Sequence, residues 1–115
     1  MNKRKIGEGY EKRAARYLEE KGYRILEQNV SSRFGEIDLI AHKDEYLVFI
    51  EVKYRKNENK GKPEEAVDER KQKKIIKTAE YYCMKKGISM NQAMRFDVVC
   101  ILGNEIRLYE NAFWR

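Results

Sequence analysis

Asp38, Glu51 and Lys53 are the residues of this chain whose types and spacing suit chemistry. They lie in two runs, Gly35-Glu36-Ile37-Asp38-Leu39-Ile40-Ala41 and Tyr46-Leu47-Val48-Phe49-Ile50-Glu51-Val52-Lys53-Tyr54. Both read as strands, being rich in Ile, Val, Leu and aromatics and bounded by Gly or charged turn residues. The second is apolar on both faces, with Val48, Ile50 and Val52 on one and Leu47 and Phe49 on the other, so it is expected at the centre of a sheet. Its Leu47/Phe49 face continues into Glu51 and Lys53, and ionised groups entering a buried face are costly unless paired or bound to a cation.

An even loop, either Asp44-Glu45 or the stretch from Lys43 to Tyr46, makes the two runs a hairpin with Asp38 opposite Glu51, Glu36 opposite Lys53 and Ile40 opposite Phe49. Opposed side chains share a side of the sheet. Two facing carboxylates repel, and a divalent cation between them reverses that sign. Hard ions such as Mg2+ or Mn2+ take oxygen donors of this kind. The alternative is a solvent-facing salt-bridge ladder worth little. An odd loop would part Asp38 from Glu51 unless a bulge restored parity.

The elements that must position these residues follow from the rest of the chain. Its 115 residues make one domain, 1–115, with a single modest core. Charged residues are 38 % and the formal net charge is +6, which favours an anionic partner, nucleic acid before membrane. No apolar run has the length of a spanning helix and no signal-peptide core follows Met1, so the chain is expected in the cytoplasm. Cys83 and Cys100 sit among apolar neighbours and read as reduced core residues. The single histidine, His42, excludes zinc sites built on several His or Cys, and triads needing a histidine base unless His42 serves.

Residues 7 to about 21 read as a helix on the spacing of Tyr10, Ala14, Tyr17 and Leu18, stopped by Gly22. Glu11 lies at the edge of its apolar stripe; Glu8 is the competing carboxylate, and either also suits a solvated helix start. Residues 23 to about 30 are a first strand and residues 31–35 a turn. Residues 55–63 form a basic loop with Arg55, Lys56, Lys60 and Lys62, placed either to meet a phosphate backbone or simply to link strand to helix. Pro63 with Glu64 and Glu65 suits the start of a second helix running to about Lys86 and stopped by Gly87. Ile75, Ile76, Ala79, Tyr82 and Cys83 form its apolar stripe, with Arg70, Lys73 and Lys77 opposite. Gln72 falls inside the stripe, so its amide is expected to cap a backbone group or reach the site. Residues 95–102 and 105–109 read as strands joined by a Gly103-Asn104 turn, and Phe113 and Trp114 are expected on the core or an interface. The order α-β-β-β-α-β-β gives an α/β domain, a mixed sheet of about five strands with helices packed against it.

Asp38, then a hairpin, then Glu51-Val52-Lys53 resembles the Asp…Glu-x-Lys signature of the PD-(D/E)XK nuclease superfamily, with Ile37 in place of the proline of that name. More closely, Gly7-x-x-x-Glu11-x-x-Ala14, Gly35-Glu36-Ile37-Asp38-Leu39-Ile40, Val48-Phe49-Ile50-Glu51-Val52-Lys53-Tyr54-Arg55, Lys71-Gln72, Arg95-Phe96-Asp97-Val98-Val99 and Asn111-Ala112-Phe113 resemble the YraN family of small bacterial proteins, itself similar to archaeal Holliday junction resolvases. The resemblance implies a restriction-endonuclease-like core and a Mg2+- or Mn2+-dependent endonuclease acting on DNA, branched or junction DNA included. It assigns the metal-binding acids to Asp38 and Glu51, the catalytic lysine to Lys53 and a further catalytic carboxylate to Glu11, with a homodimer for symmetric cutting; on this reading the Val52 carbonyl would complete the metal site and Gln72 would position the substrate. Arg55, Lys56, Lys60, Lys62, Arg70 and Lys73 would contact phosphates, in DNA sooner than RNA. The alternatives are a catalytically silent, structure-selective nucleic-acid-binding module and a small scaffold protein engaged through Phe113 and Trp114.

Overall fold

The computed structural model describes residues 3–55 and 67–114, with side chains from Gly9 onward. Helix α1 (Lys3–Glu20) leads into strands β1 (Arg24–Ser32), β2 (Gly35–Lys43) and β3 (Tyr46–Arg55); helix α2 (Glu69–Lys86) follows, then β4 (Met94–Leu102) and β5 (Glu105–Phe113). The five strands form one sheet in chain order, with β3 and β4 parallel and the other pairs antiparallel. The mixed α/β sheet is thus the one the pattern of the chain predicts. A parallel pair needs a crossover, and α2 supplies it.

The two-faced pattern of β3 explains the layers. Leu47 and Phe49 join Ile40, Phe96, Val98 and Phe113 beneath Ile75, Ala79, Tyr82 and Cys83 of α2. Val48 and Ile50 join Leu39, Ala41, Val99 and Ile101 beneath Ala14, Ala15 and Leu18 of α1. Small residues on α1 let the helix lie close to the sheet, so both faces of β3 are dry. Cys83 and Cys100 are buried, unbridged core residues.

The β2–β3 register also follows expectation: Lys43 pairs with Tyr46 across a two-residue Asp44-Glu45 turn, and Ile40 pairs with Phe49. Asp44 takes the left-handed conformation, φ 54°, that such a turn asks for. The ladder ends at Leu39–Ile50, one step short of Asp38 and Glu51. Ile37 packs with Ile40 in the α2 layer while Leu39 packs in the α1 layer. The alternation of β2 therefore breaks around Asp38, alongside Asn29 of β1, which has φ 53°. The kink lets Asp38 aim across the strand gap instead of along the regular pleat.

Several boundaries differ from the sequence reading: α1 starts at Lys3 instead of residue 7, and β1 and β2 run into the 31–35 stretch read as a turn. Residues 63–66 lie outside the described residues, but Val67 and Asp68 are not helical, and α2 starts only after Asp68. The Asp68 side chain accepts from the Lys71 amide and caps the helix, a stronger start signal than proline followed by acids. Gly87, at φ 69°, ends it by donating to the Cys83 and Met84 carbonyls. Strand β5 runs on to Phe113, which pairs with Phe96 beyond a bulge; Phe113 is buried and Trp114 is 77 % exposed.

That bulge is secured by a buried polar group. Asp97, fully buried, accepts from Arg95 Nε (2.9 Å), the Tyr23 hydroxyl (2.7 Å) and the Asn111 amide (2.9 Å). It ties β4, β5 and the chain leaving α1 together. Among the described residues, no helix is long and apolar enough to cross a membrane.

Candidate functional site

At the end of the β2–β3 ladder the strands part, and the gap is filled by side chains. The Asp38 carboxylate (Oδ2) accepts from the Val52 amide at 2.8 Å, taking a donor that a continuing ladder would have used. Asp38 and Glu51 both line a cleft of about 640 Å³ between this fork and the first turns of α2, together with Glu36, Asp68, Arg70, Lys71 and Lys74. The two acids expected to face one another do reach one cavity. Glu36 lines it too, but Lys53 pairs with Glu51 on its own strand, at 3.5 Å.

The strongest contact in the cleft comes from a residue that the strand pattern does not offer. Lys71 Nζ lies 2.7 Å from Glu51 Oε1, so one carboxylate oxygen receives two ammonium groups. Lys71 stands four residues before Ile75 and eight before Ala79, at the edge of the stripe that faces the sheet, and that periodicity is the signal that finds it. Gln72 turns elsewhere: its amide donates to the Val67 carbonyl at 2.9 Å. Tyr10 stacks on Tyr54 with ring centroids 4.1 Å apart. This stack holds α1 to the end of β3 and brings Glu11 within electrostatic reach of Asp38. Arg70 and Lys73 are exposed on α2 and Arg55 is half-buried at the end of β3. Lys56, Lys60 and Lys62 lie outside the described residues, as does the side chain of Glu8.

Charge in the cleft is strained. Burial first, then the nearby Glu51, push Asp38 up to about 8, against the pull of the Val52 amide. Burial and the Lys71 ammonium hold Lys53 below the ordinary lysine value. For Lys71, burial acts downward but is outweighed by its bonds to Glu51 and Lys53, which raise it. Oxygen donors crowded so that one resists ionising suit a small hard dication, which would reverse the repulsion. Among the described residues, no group of three or more His, Cys, Asp or Glu side chains is arranged to hold a metal ion. The donor set that fits is the Asp38–Glu51 pair, with the Val52 carbonyl beside it in sequence.

Two outcomes follow. Because the raised Asp38 group adds stability that is full below its ordinary value of 3.8 and is lost as pH rises through about 8, the protein in EDTA should lose stability over that window. Asp38→Asn keeps an acceptor for the Val52 amide and does not titrate. Above the window it should be more stable than wild type by on the order of 2 kcal/mol, with the difference vanishing in acid; denaturant melts across pH check this. A dication entering the cleft must also compete with Lys71 for Glu51. Lys71→Met should therefore tighten Mn2+ binding on the order of tenfold in calorimetric titration, and unchanged affinity would remove Lys71 from that role.

Comparison with known proteins identifies the family of the chain. A family model described as "Uncharacterised protein family UPF0102" matches residues 10–101. A UPF0102 protein of Lachnoclostridium phytofermentans is 50 % identical over 113 residues, 98 % of this chain and 96 % of its own. One from Fusobacterium nucleatum is 45 % identical over 114 residues, 99 % and 95 % of the two chains, and one from Vibrio parahaemolyticus is 44 % identical, covering 97 % and 94 %. The order of helix, three antiparallel strands, crossover helix and parallel fourth strand is consistent with a nuclease-like fold, and by its sequence the chain belongs to the UPF0102 family.

Proposed function

We propose that the protein is a Mg2+-dependent endonuclease that hydrolyses phosphodiester bonds in DNA, with branched or junction DNA as its substrate. The observation that carries the reading is the meeting of Asp38 and Glu51, from two strands that have just parted, in one cleft edged by Arg70, Lys71 and Lys74. Asp38, Glu51 and the Val52 carbonyl would hold the ion, which supplies Lewis-acid polarisation of the phosphate and a more acidic water. Asp38, anchored to the Val52 amide, fixes one oxygen donor in place. Lys53, whose ammonium pairs with Glu51 at 3.5 Å and whose pKa is lowered by burial, would supply an amine to move a proton or steady the charge that develops on phosphate oxygen. Lys71, Arg70 and Lys74 bind and orient the phosphate backbone without reading sequence. Two copies would cut a four-way junction symmetrically.

A second reading, a catalytically silent nucleic-acid-binding module, draws support from one contact. Glu51 is already neutralised by Lys71 at 2.7 Å, and a permanent pair of that kind would keep the cleft shut to cations. A cleavage screen of branched, linear and single-stranded DNA with Mg2+ and Mn2+ separates the two. The nuclease reading expects cleavage by wild type that is absent with Lys53→Ala. Cleavage by neither, with DNA retained by both, leaves the binding module.

A further inference from the structure

We propose that the outer edge of α2 and the Arg33–Phe34 turn form a docking surface for an unpaired nucleotide strand, continuous with the cleft. The inference names the kind of substrate that the cleft receives and so rests on the nuclease reading. Arg70, Lys74, Lys77 and Tyr81 recur along one side of α2 at i, i+4, i+7 and i+11. The first two line the cleft. The last two line a second cavity of about 490 Å³, together with Arg33, Phe34 and Met84.

The chemistry of this second cavity is aromatic rings set among cations. The Phe34 ring has the Arg33 guanidinium 4.9 Å and the Lys77 ammonium 5.4 Å from its centroid, and Lys85 lies 5.5 Å from that of Tyr81. Among the described residues, Arg70, Lys74 and Lys77 have no carboxylate partner, and Glu80 is the one acid in the second cavity. The turn is fixed to the helix rather than loosely apposed. Ser32 Oγ lies 2.9 Å from Thr78 Oγ1 and accepts from the Phe34 amide at 3.0 Å. A Cβ on Gly35 would stand only 3.4 Å from that of Lys74.

Phosphates can follow the cations while bases stack on Phe34 and Tyr81, releasing an exposed cation from the ring face to a phosphate. From Arg70 to Tyr81 the helix rises about 16 Å, enough to follow a few phosphates of one strand. A duplex keeps its base faces stacked on one another and offers the rings nothing. The surface therefore favours, among branched substrates, those that carry an unpaired arm.

The test is fluorescence anisotropy in EDTA with labelled oligo-dT of about twelve nucleotides, oligo-rU of the same length and a duplex of matching length. Wild type should hold oligo-dT more tightly than duplex. Phe34→Leu, which keeps the half-buried side chain apolar, should weaken oligo-dT binding about tenfold and leave duplex binding unchanged, with the melting temperature checking the fold. Lys77→Ala should weaken both and lower the salt slope by about one. Oligo-rU held as tightly as oligo-dT would extend the surface to RNA. Equal affinity for duplex, indifference to Phe34→Leu, or no oligonucleotide retained at all would overturn the proposal, the last leaving a protein partner for the patch. Cleavage of branched DNA is scored separately. Metal-dependent cutting without Phe34-dependent binding sinks this proposal alone, and Phe34-dependent binding without cutting sinks the nuclease reading alone.

Discussion

Asp38→Asn is expected to lower Mg2+-dependent DNA cleavage by about 10³-fold or more while DNA retention stays within about twofold. The amide can still accept from Val52 N–H, so the fork between β2 and β3 keeps its shape. What is lost is half of the carboxylate pair facing the cleft. Retention should persist because Arg70, Lys71 and Lys74 are untouched. Lys53→Ala should give a similar loss through a different step. Rates measured at saturating metal, alongside binding in EDTA, separate the effects. Cleavage that survives both substitutions would place the chemistry elsewhere.

The second large effect is on stability and belongs to a buried polar network outside the cleft. Asp97→Ala is expected to cost about 3–5 kcal/mol, a large share of what a domain of this size possesses. Its carboxylate is fully buried and receives Arg95, the Tyr23 hydroxyl and the Asn111 amide. Alanine would leave the Arg95 guanidinium, only 12 % exposed, without its counter-charge. It would also release the bulge at Asn111 through which β5 reaches Phe113. Urea melts of the purified variant check this; a loss below about 1 kcal/mol would mean that the network relaxes around the gap. Cleavage by the folded fraction should be unaffected, which separates this buried acid from Asp38 and Glu51.

Much of the frame can be read from residue patterns because single-strand periodicity decides it. Leu47 and Phe49 alternate with Val48 and Ile50, so β3 must be covered on both faces, and one even turn then brings Asp38 and Glu51 to the same end of the hairpin. Harder to read is whatever depends on how two elements dock. Lys71 meets Glu51 only because α2 lies across the fork; the period of α2 puts Lys71 at the edge of its sheet-facing stripe but does not name Glu51 as its partner. The start of α2 is a contest between two local signals, and a side chain that satisfies an orphan amide outweighs a proline that merely tolerates the first turn. Bulges are equally opaque. Asn29 adopts positive φ within what reads as unbroken strand, and Asn111 does so beyond the residue where the last strand is expected to end; the reason lies across the sheet, at Asp38 and Asp97. Gln72 shows the converse: a polar residue within an apolar stripe that finds its partner in its own chain, five residues back.

The central claim is that Asp38 and Glu51 together hold a small hard cation. It is tested most directly by calorimetric titration of Mn2+ into wild type and the Asp38→Asn/Glu51→Gln protein at about pH 8, near the value that burial gives Asp38. The account predicts saturable binding to wild type, a metal-linked rise in melting temperature, and neither in the double variant. No binding to wild type, or the same affinity in both proteins, would contradict it.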